Sequence, residues 1–338
     1  MKILVKHTRA LRTVPAILSA EEQAKTVMSV MMGDTCGASP SDQLLPGDVV
    51  RVLSEREILA TLDENGTFEK LPFMPEMLDF CGRTFRVSRQ AFKTCVDDTE
   101  MRGLNNTVFL EEVRCDGSNH GGCARACLIF WKTAWLKRAD PPSLAPLPWK
   151  PKVSRADLLS IAQRDGQFFC QSTEILNASK PLPWWEPRQY LWDLKYNRTS
   201  LVNWVQSLFI AFYNKIAFIL KRNSWKFVAG SGNAPTVEPL HLRPGDMVRV
   251  KSLNQIRETL DENGKHNNLL FAPTMTSFCG KELRVRDRVE NIILEGSTRQ
   301  RKVNDTVLLE DAICDGVCHR LCPRQSFLFW RECWLERV

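Results

Sequence analysis

The densest set of reactive side chains in the chain is the stretch CDGSNHGGCARAC, which holds Cys115, His120, Cys123 and Cys127. The spacing C-x7-C-x3-C puts three thiols within thirteen residues, on a loop made pliable by Gly117, Gly121 and Gly122. Thiolates held this close can surround a zinc ion or ligate an iron–sulfur cluster. Cys95, in the upstream KTC, is the natural fourth ligand, so the principal metal site is expected from Cys95, Cys115, Cys123 and Cys127. His120 is either a further ligand or a loop hydrogen-bond donor, and Cys81 in Phe-Cys-Gly is an additional candidate. Four thiolates satisfy a tetrahedral cation and leave no open position, which suits structure or electron transfer better than hydrolysis. Two other readings stay open: a thiol nucleophile paired with histidine, and buried thiols packing as small hydrophobes. Packing suits the isolated Cys36, Cys170 and Cys333.

A second such stretch, CDGVCHRLC, carries Cys314, Cys318, His319 and Cys322, with Cys279 in its own Phe-Cys-Gly. The region ENIIL (290–294) and Ser326 stand where the first copy has Cys95 and Cys127, and Cys318 is new. A weaker second site is therefore expected from Cys279, Cys314, Cys318, Cys322 and His319.

The elements that position these loops are duplicated too. PGDVVRVLSEREILATLDENG (46–66) lies over PGDMVRVKSLNQIRETLDENG (244–264), and LPFMPEMLDFCGRTFRV over LLFAPTMTSFCGKELRV. After a one-residue slip NTVFLEEVRCDG aligns with DTVLLEDAICDG, and FWKTAWLKR with FWRECWLER. Each copy has about ninety residues, the size of one small domain. Pro-Gly-Asp sets a turn into a strand. Ser54 with Glu57, and Ser252 with Gln255, form capping boxes for a short helix. Ile58, Leu59 and Leu62 are its apolar face, and Asn65-Gly66 is expected to end it. Asp63 and Glu64 then read as solvated carboxylates at a turn. Three alternating β-branched and aromatic stretches follow. This pattern implies a mixed, mainly β fold, and the GDxVRV opening resembles SH3-like and KOW-type barrels.

The expected organisation is an N-terminal extension (1–45), a first Cys-rich barrel repeat (46–140), a linker with a helical Trp-rich insert (141–236), and a second Cys-rich barrel repeat (237–338). The linker is proline-rich at Ala145–Arg155, and GSGNAPT (230–236) is a flexible joint. In the insert, Trp184, Trp185, Tyr190 and Trp192 are expected to cover seams between domains. Gln171, Glu174, Arg188, Gln189 and Asp193 either satisfy backbone groups there or line a pocket. LVNWVQSLFIAFYNKIAFIL (201–220) is long enough to span a bilayer, but Asn203, Gln206, Asn214 and Lys215 argue against a span. A helix buried between domains is expected, with one lying on a membrane surface as the alternative.

With 43% hydrophobic and 25% charged residues the 338-residue chain has the composition of a globular protein. Its net charge of +7 permits an anionic partner, but no run of five Lys/Arg supports a nucleic-acid footprint. Lys2, Lys6, Arg9 and Arg12 precede VPAILSA, a run too short for a secretory signal and broken by Pro15. A cytoplasmic setting follows, in which twelve cysteines suggest metal or reactive thiols rather than disulfides. The sequons at Asn105, Asn177, Asn197 and Asn304 would bear only on a secreted chain.

The run LPFMPEMLDFCGRTFRV, KTC, RCDGSNHGGC, FWKTAWLKR, PLPWWEPRQY and LCPRQSFLFWRECWLERV resembles a bacterial family with tandem Cys-rich repeats, associated with polysaccharide or specialised-metabolite gene clusters. The resemblance covers nearly all of the chain after residue 45. It brings no assigned activity and therefore no catalytic residues, and Thr306 stands where its pattern leads one to expect a cysteine. No P-loop, dinucleotide fingerprint or paired acid motif is present. The expectation is a zinc- or iron–sulfur-containing accessory or binding protein of a biosynthetic pathway, with a protein partner or anionic ligand. The alternatives are an iron–sulfur or thiol-dependent enzyme of such a pathway, and a nucleic-acid-binding barrel protein.

Overall fold

A computed structural model describes residues 43–96, 100–138, 151–164, 166–231 and 238–338. The N-terminal extension up to residue 42 with Cys36, most of the proline-rich linker, and most of the GSGNAPT joint lie outside the described residues.

In the first copy the Pro-Gly-Asp turn leads into β1 (Val49–Val52), whose alternate residues Val50 and Val52 point into the core. The Ser54–Glu57 capping box then starts α1 (Glu55–Leu59). β2 (Thr84–Gln90), β3 (Lys93–Val96), β4 (Glu100–Gly103), β5 (Thr107–Leu110), β6 (Trp131–Lys132) and β7 (Leu136–Arg138) follow. Five of these strands form an antiparallel sheet in the order β6-β5-β2-β1-β7. A 3-10 turn, Thr133–Trp135, carries the chain from one edge strand of that sheet to the other.

The insert contributes α2 (Arg155–Ala162), α3 (Ile175–Ala178), β8 (Lys180–Pro181), α4 (Arg188–Lys195) and α5 (Leu201–Ile219). The second copy then builds β9 (Met247–Val250), α6 (Leu253–Arg257), β10 (Glu282–Arg288), β11 (Asn291–Ile293), β12 (Gln300–Lys302), β13 (Thr306–Ile313), β14 (Phe327–Arg331) and β15 (Leu335–Arg337). Its sheet order, β14-β13-β10-β9-β15, matches the first strand for strand. Even the register shift recurs, between Val87 and Arg89 in β2 and between Val285 and Asp287 in β10. The architecture is thus mixed and strand-rich, made of several small sheets.

Two fully buried tryptophans centre each core, Trp131 with Trp135 and Trp330 with Trp334. Phe73 meets Trp135 edge-on at 5.2 Å, and Phe271 meets Trp334 at 5.3 Å. A buried indole N–H usually finds an acceptor; those of Trp131 and Trp330 have none, but the repeated TLDENG supplies one for Trp135 and Trp334. Thr61 Oγ1 accepts from Trp135 Nε1 at 3.1 Å, and Thr259 Oγ1 from Trp334 Nε1 at 2.9 Å. The same hydroxyls donate back to Ile58 and Ile256 carbonyls at 2.7 Å, a bond that competes with helix continuation. Hence α1 ends at Leu59, earlier than the Asn-Gly end expected from sequence, and TLDENG is a loop. Asp63 Oδ1 organises that loop by accepting from the Asn65 and Thr67 amides at 3.0 and 2.8 Å.

The insert docks on the first copy. β8 adds to β4 and β3 as a third strand. The Lys93 Nζ on β3 lies 2.6 Å from Asp193 on α4, with both side chains fully buried. Gln171 takes the Phe130 amide at 2.8 Å and donates to the Phe130 and Pro72 carbonyls. Gln189 donates to the Pro183 and Glu186 carbonyls. Gln171 and Gln189 thus satisfy backbone, Gln171 also lining a cavity, whereas Asp193 pairs with Lys93. Trp184 and Trp185 are exposed rather than covering a seam.

α5 also differs from expectation. Its inward face, with Ile210, rests on the short turn Val317–His319, while Val202, Val205, Phe209, Phe212, Ile216 and Ile219 face outward. No helix among the described residues is long and apolar enough to cross a membrane.

The copies grip each other reciprocally. The hairpin β11–β12 of the second copy meets the first Cys loop, where Ala124 N donates to Asn291 O at 2.8 Å and Ile293 N to Cys123 Sγ at 3.4 Å. The hairpin β3–β4 of the first copy meets the second Cys loop, where Cys95 N donates to Cys322 Sγ at 3.2 Å. The aligned pairs Cys95/Ile293 and Cys123/Cys322 thus make one contact twice.

Candidate metal centre

Both Cys loops share a frame. Cys115 N donates to Cys127 O, and Cys314 N to Ser326 O, each at 2.8 Å. Gly117 and Gly316 sit at φ +73° and +77°, where a Cβ would come within 2.2 Å of the Cys123 or Cys322 carbonyl, so only glycine fits the Cys-Asp-Gly turn. This turn tucks His120 inward until it is buried.

The group it meets was not among the sequence candidates. The 3-10 turn Pro75–Phe80 points Glu76 into the same interior, with its side chain 4% exposed. Glu76 Oε1 accepts from Cys115 Sγ at 3.0 Å and lies 3.1 Å from His120 Nδ1. One ligand atom from each of Glu76, Cys115 and His120 falls within 4.8 Å of the others, and this is the one such trio among the described residues. Glu76 Oε2 and His120 Nε2 are buried with no hydrogen-bond partner, which is costly unless something else satisfies them.

Burial works to raise the Glu76 pKa, but the adjacent His120 ring, with help from the Cys115 thiol, holds it below the usual carboxylate value. Burial first, and then the adjacent Glu76 carboxylate, push the Cys115 thiol well up. In the absence of a cation the trio therefore holds a carboxylate receiving a neutral thiol. A cavity of about 30 Å3, lined by Cys115, His120, Cys123, Cys127 and Cys170 among others, adjoins it.

The structure does not bring Cys95, Cys115, Cys123 and Cys127 to one point. Cys123 Sγ is turned to the Ile293 amide, Cys127 Sγ sits 3.8 Å from Ser172 Oγ, and Cys95 faces the second Cys loop. Cys81 caps its 3-10 turn 3.9 Å from the Met77 carbonyl, and burial pushes its thiol up to about 11. The second set does not converge either. Cys279 caps the matching turn, Cys314 Sγ accepts from Gly316 N, and Cys318 packs in the cluster under α5. Cys314, His319 and Cys322 do line one cavity, of about 210 Å3, together with Cys95 and Cys127, but no three ligand atoms of this set meet.

Glu76 explains the asymmetry. Its aligned counterpart is Thr274, whose Oγ1 is buried without a partner. The signal was present in the paired strings MPEM and APTM, where an acid in one copy faces a neutral residue in the other. No disulfide forms among the described cysteines. No protein family, curated protein or solved structure matches the chain, so the site rests on its own geometry.

Proposed function

We propose that the chain is a zinc-dependent accessory or binding protein, built of two SH3-like barrels, in which the metal fastens the first Cys loop to the Pro75–Phe80 turn. One observation carries this reading: a carboxylate oxygen, a thiol and an imidazole converge within 4.8 Å in a buried site whose remaining lone pairs have no partner. A mixed oxygen, sulfur and nitrogen set suits zinc, whereas an iron–sulfur cluster calls for several thiolates that do not meet there. The SH3-like reading is supported by a meander closed through a 3-10 turn, onto β1 in the first copy and onto β9 in the second. The bacterial family resemblance supports a role in polysaccharide or specialised-metabolite biosynthesis. Metal analysis of the full chain tests the centre: about one zinc per chain is expected, lost in Glu76→Thr and His120→Ala but kept in Cys95→Ser.

A second reading is favoured by α5, whose outward residues Val202, Val205, Phe209, Phe212, Ile216 and Ile219 repeat at spacings of three and four. Between residues 201 and 226 the only charges are Lys215, Lys221, Arg222 and Lys226. An exposed apolar stripe flanked only by cations fits the surface of an anionic bilayer. Sedimentation with phosphatidylserine-containing vesicles, but not neutral ones, is expected. Equal recovery of wild type and a Phe209→Ser/Phe212→Ser variant with those vesicles would refute it.

A further inference from the structure

We propose that Cys95 and Cys322 form a reversible dithiol–disulfide pair that covalently locks the two repeats together, with a small hydroperoxide as oxidant. The two residues come from different repeats, and the Cys95 amide already donates to Cys322 Sγ at 3.2 Å. Their side chains also hydrogen-bond to each other. Cys314 and His319 line the same cavity, but among the described residues no third ligand atom comes within metal-binding reach of this pair. Both line the 210 Å3 cavity, and Cys95 is half-buried, which gives a small oxidant access.

The surroundings favour a thiolate. Arg324, almost fully buried, donates to the Cys95 carbonyl at 3.1 Å and pairs with Glu295, yet its Nε and Nη2 have no hydrogen-bond partner. A cation with spare donors beside a thiol stabilises the sulfur anion. The hydrogen bond from Cys95 pushes the Cys322 thiol below its ordinary value against burial, and Arg324 adds to the effect. Glu76, Cys115 and His120 take no part.

The chemistry balances in two steps. Cys322 thiolate attacks the peroxide, forming an S–O bond and breaking the O–O bond; the alkoxide or hydroxide leaves and takes a proton from water. Cys95 sulfur then attacks the sulfenic sulfur, the S–S bond forms, and hydroxide departs with the Cys95 proton as water. Sulfur loses two electrons and the peroxide gains them. A dithiol reductant reverses the step by exchange.

The reciprocal docking supplies a control. At the equivalent contact Ile293 stands in place of Cys95 against Cys123. Full-length protein is treated with a few equivalents of hydrogen peroxide, alkylated, digested and analysed by mass spectrometry. A peptide joining Cys95 to Cys322 is expected, lost completely on dithiothreitol, and Ile293→Cys should add a second linkage to Cys123. In Cys95→Ser, dimedone should trap Cys322 as its sulfenic acid. Persistence of both thiols while other cysteines oxidise would overturn the proposal, as would linkage of Cys322 to any other residue.

Discussion

Replacing Glu76 with threonine, the residue at its aligned position 274, removes the oxygen ligand but keeps a side chain that this turn already accommodates in the second copy. Two energies should separate. Without metal, the substitution strands the Cys115 thiol and leaves His120 facing no carboxylate, a loss of about 1–3 kcal/mol for unpaired buried groups. With zinc at 100-fold above its dissociation constant, the wild-type chain gains about 2.7 kcal/mol. At about 2–4 °C per kcal/mol for a chain of this size, that is a rise of about 5–10 °C on adding zinc. Glu76→Thr should show no such rise. Calorimetry of chelator-treated protein with and without zinc, beside elemental analysis, gives both terms. Because Cys115 must lose its proton to bind, the zinc-dependent rise should shrink as pH falls. A wild type that melts identically with and without zinc would refute the reasoning, as would Glu76→Thr binding one zinc per chain.

Three further outcomes follow from packing and charge. Thr61→Val and Thr259→Val each strand a buried indole N–H and should cost about 1–3 kcal/mol in denaturant unfolding, whereas Thr61→Ser should cost little; no loss in either valine variant would remove the role given to TLDENG. Lys93→Met alone leaves Asp193 buried without its cation, at about 3–5 kcal/mol, and Lys93→Met/Asp193→Leu should recover most of it; a double variant as weak as the single would contradict this. Hydrogen bonding from Ser54, against burial and with help from Lys137, lowers Glu57 from 4.5 to about 2. The unfolded chain therefore takes up this proton first, so the capping box contributes fully above pH 4.5 and is lost as pH falls toward 2. Glu57→Gln should be about 1 kcal/mol less stable at pH 7 and converge with wild type in acid; a constant gap would rule out the carboxylate as the cause.

What the sequence exposed was local. The capping boxes, the alternating β1 and the Cys-Asp-Gly turns depend on residues within a few positions, and they are where the motifs put them. The partner of His120 was hidden for a long-range reason. Glu76 sits in PEMLDF, which read as an ordinary turn, and only the folding of that turn over the Cys loop makes its carboxylate interior. The four thiols do not meet at one point for a related reason. Cys115, Cys123 and Cys127 line one cavity, but their sulfurs take different partners, Glu76, the Ile293 amide and Ser172, once the loop closes through Cys115 and Cys127 and docks against the other copy. The α5 stripe was legible as apolar, but its outward direction depends on how little surface the Val317–His319 turn offers it.

Duplication explains why the reactive groups fall where they do. Residues that hold the frame, such as Thr61/Thr259, Trp135/Trp334 and Gly117/Gly316, are the same in both copies because each core must satisfy the same indole and close the same turn. The chemistry-bearing pairs diverge: Glu76/Thr274, Cys95/Ile293 and Cys127/Ser326. Each of these three leaves the first copy with the acid or the thiol, whereas Cys318, Cys333 and Glu332 appear only in the second. The Glu76–Cys115–His120 trio is accordingly confined to the first copy, whereas Cys95 faces the loop of the second, through the docking that the frame repeats. A reciprocal interface built from one contact used twice thus presents two equivalent positions, and a single cysteine at one of them pairs two thiols there, while its twin, with Ile293, holds only the amide-to-sulfur hydrogen bond.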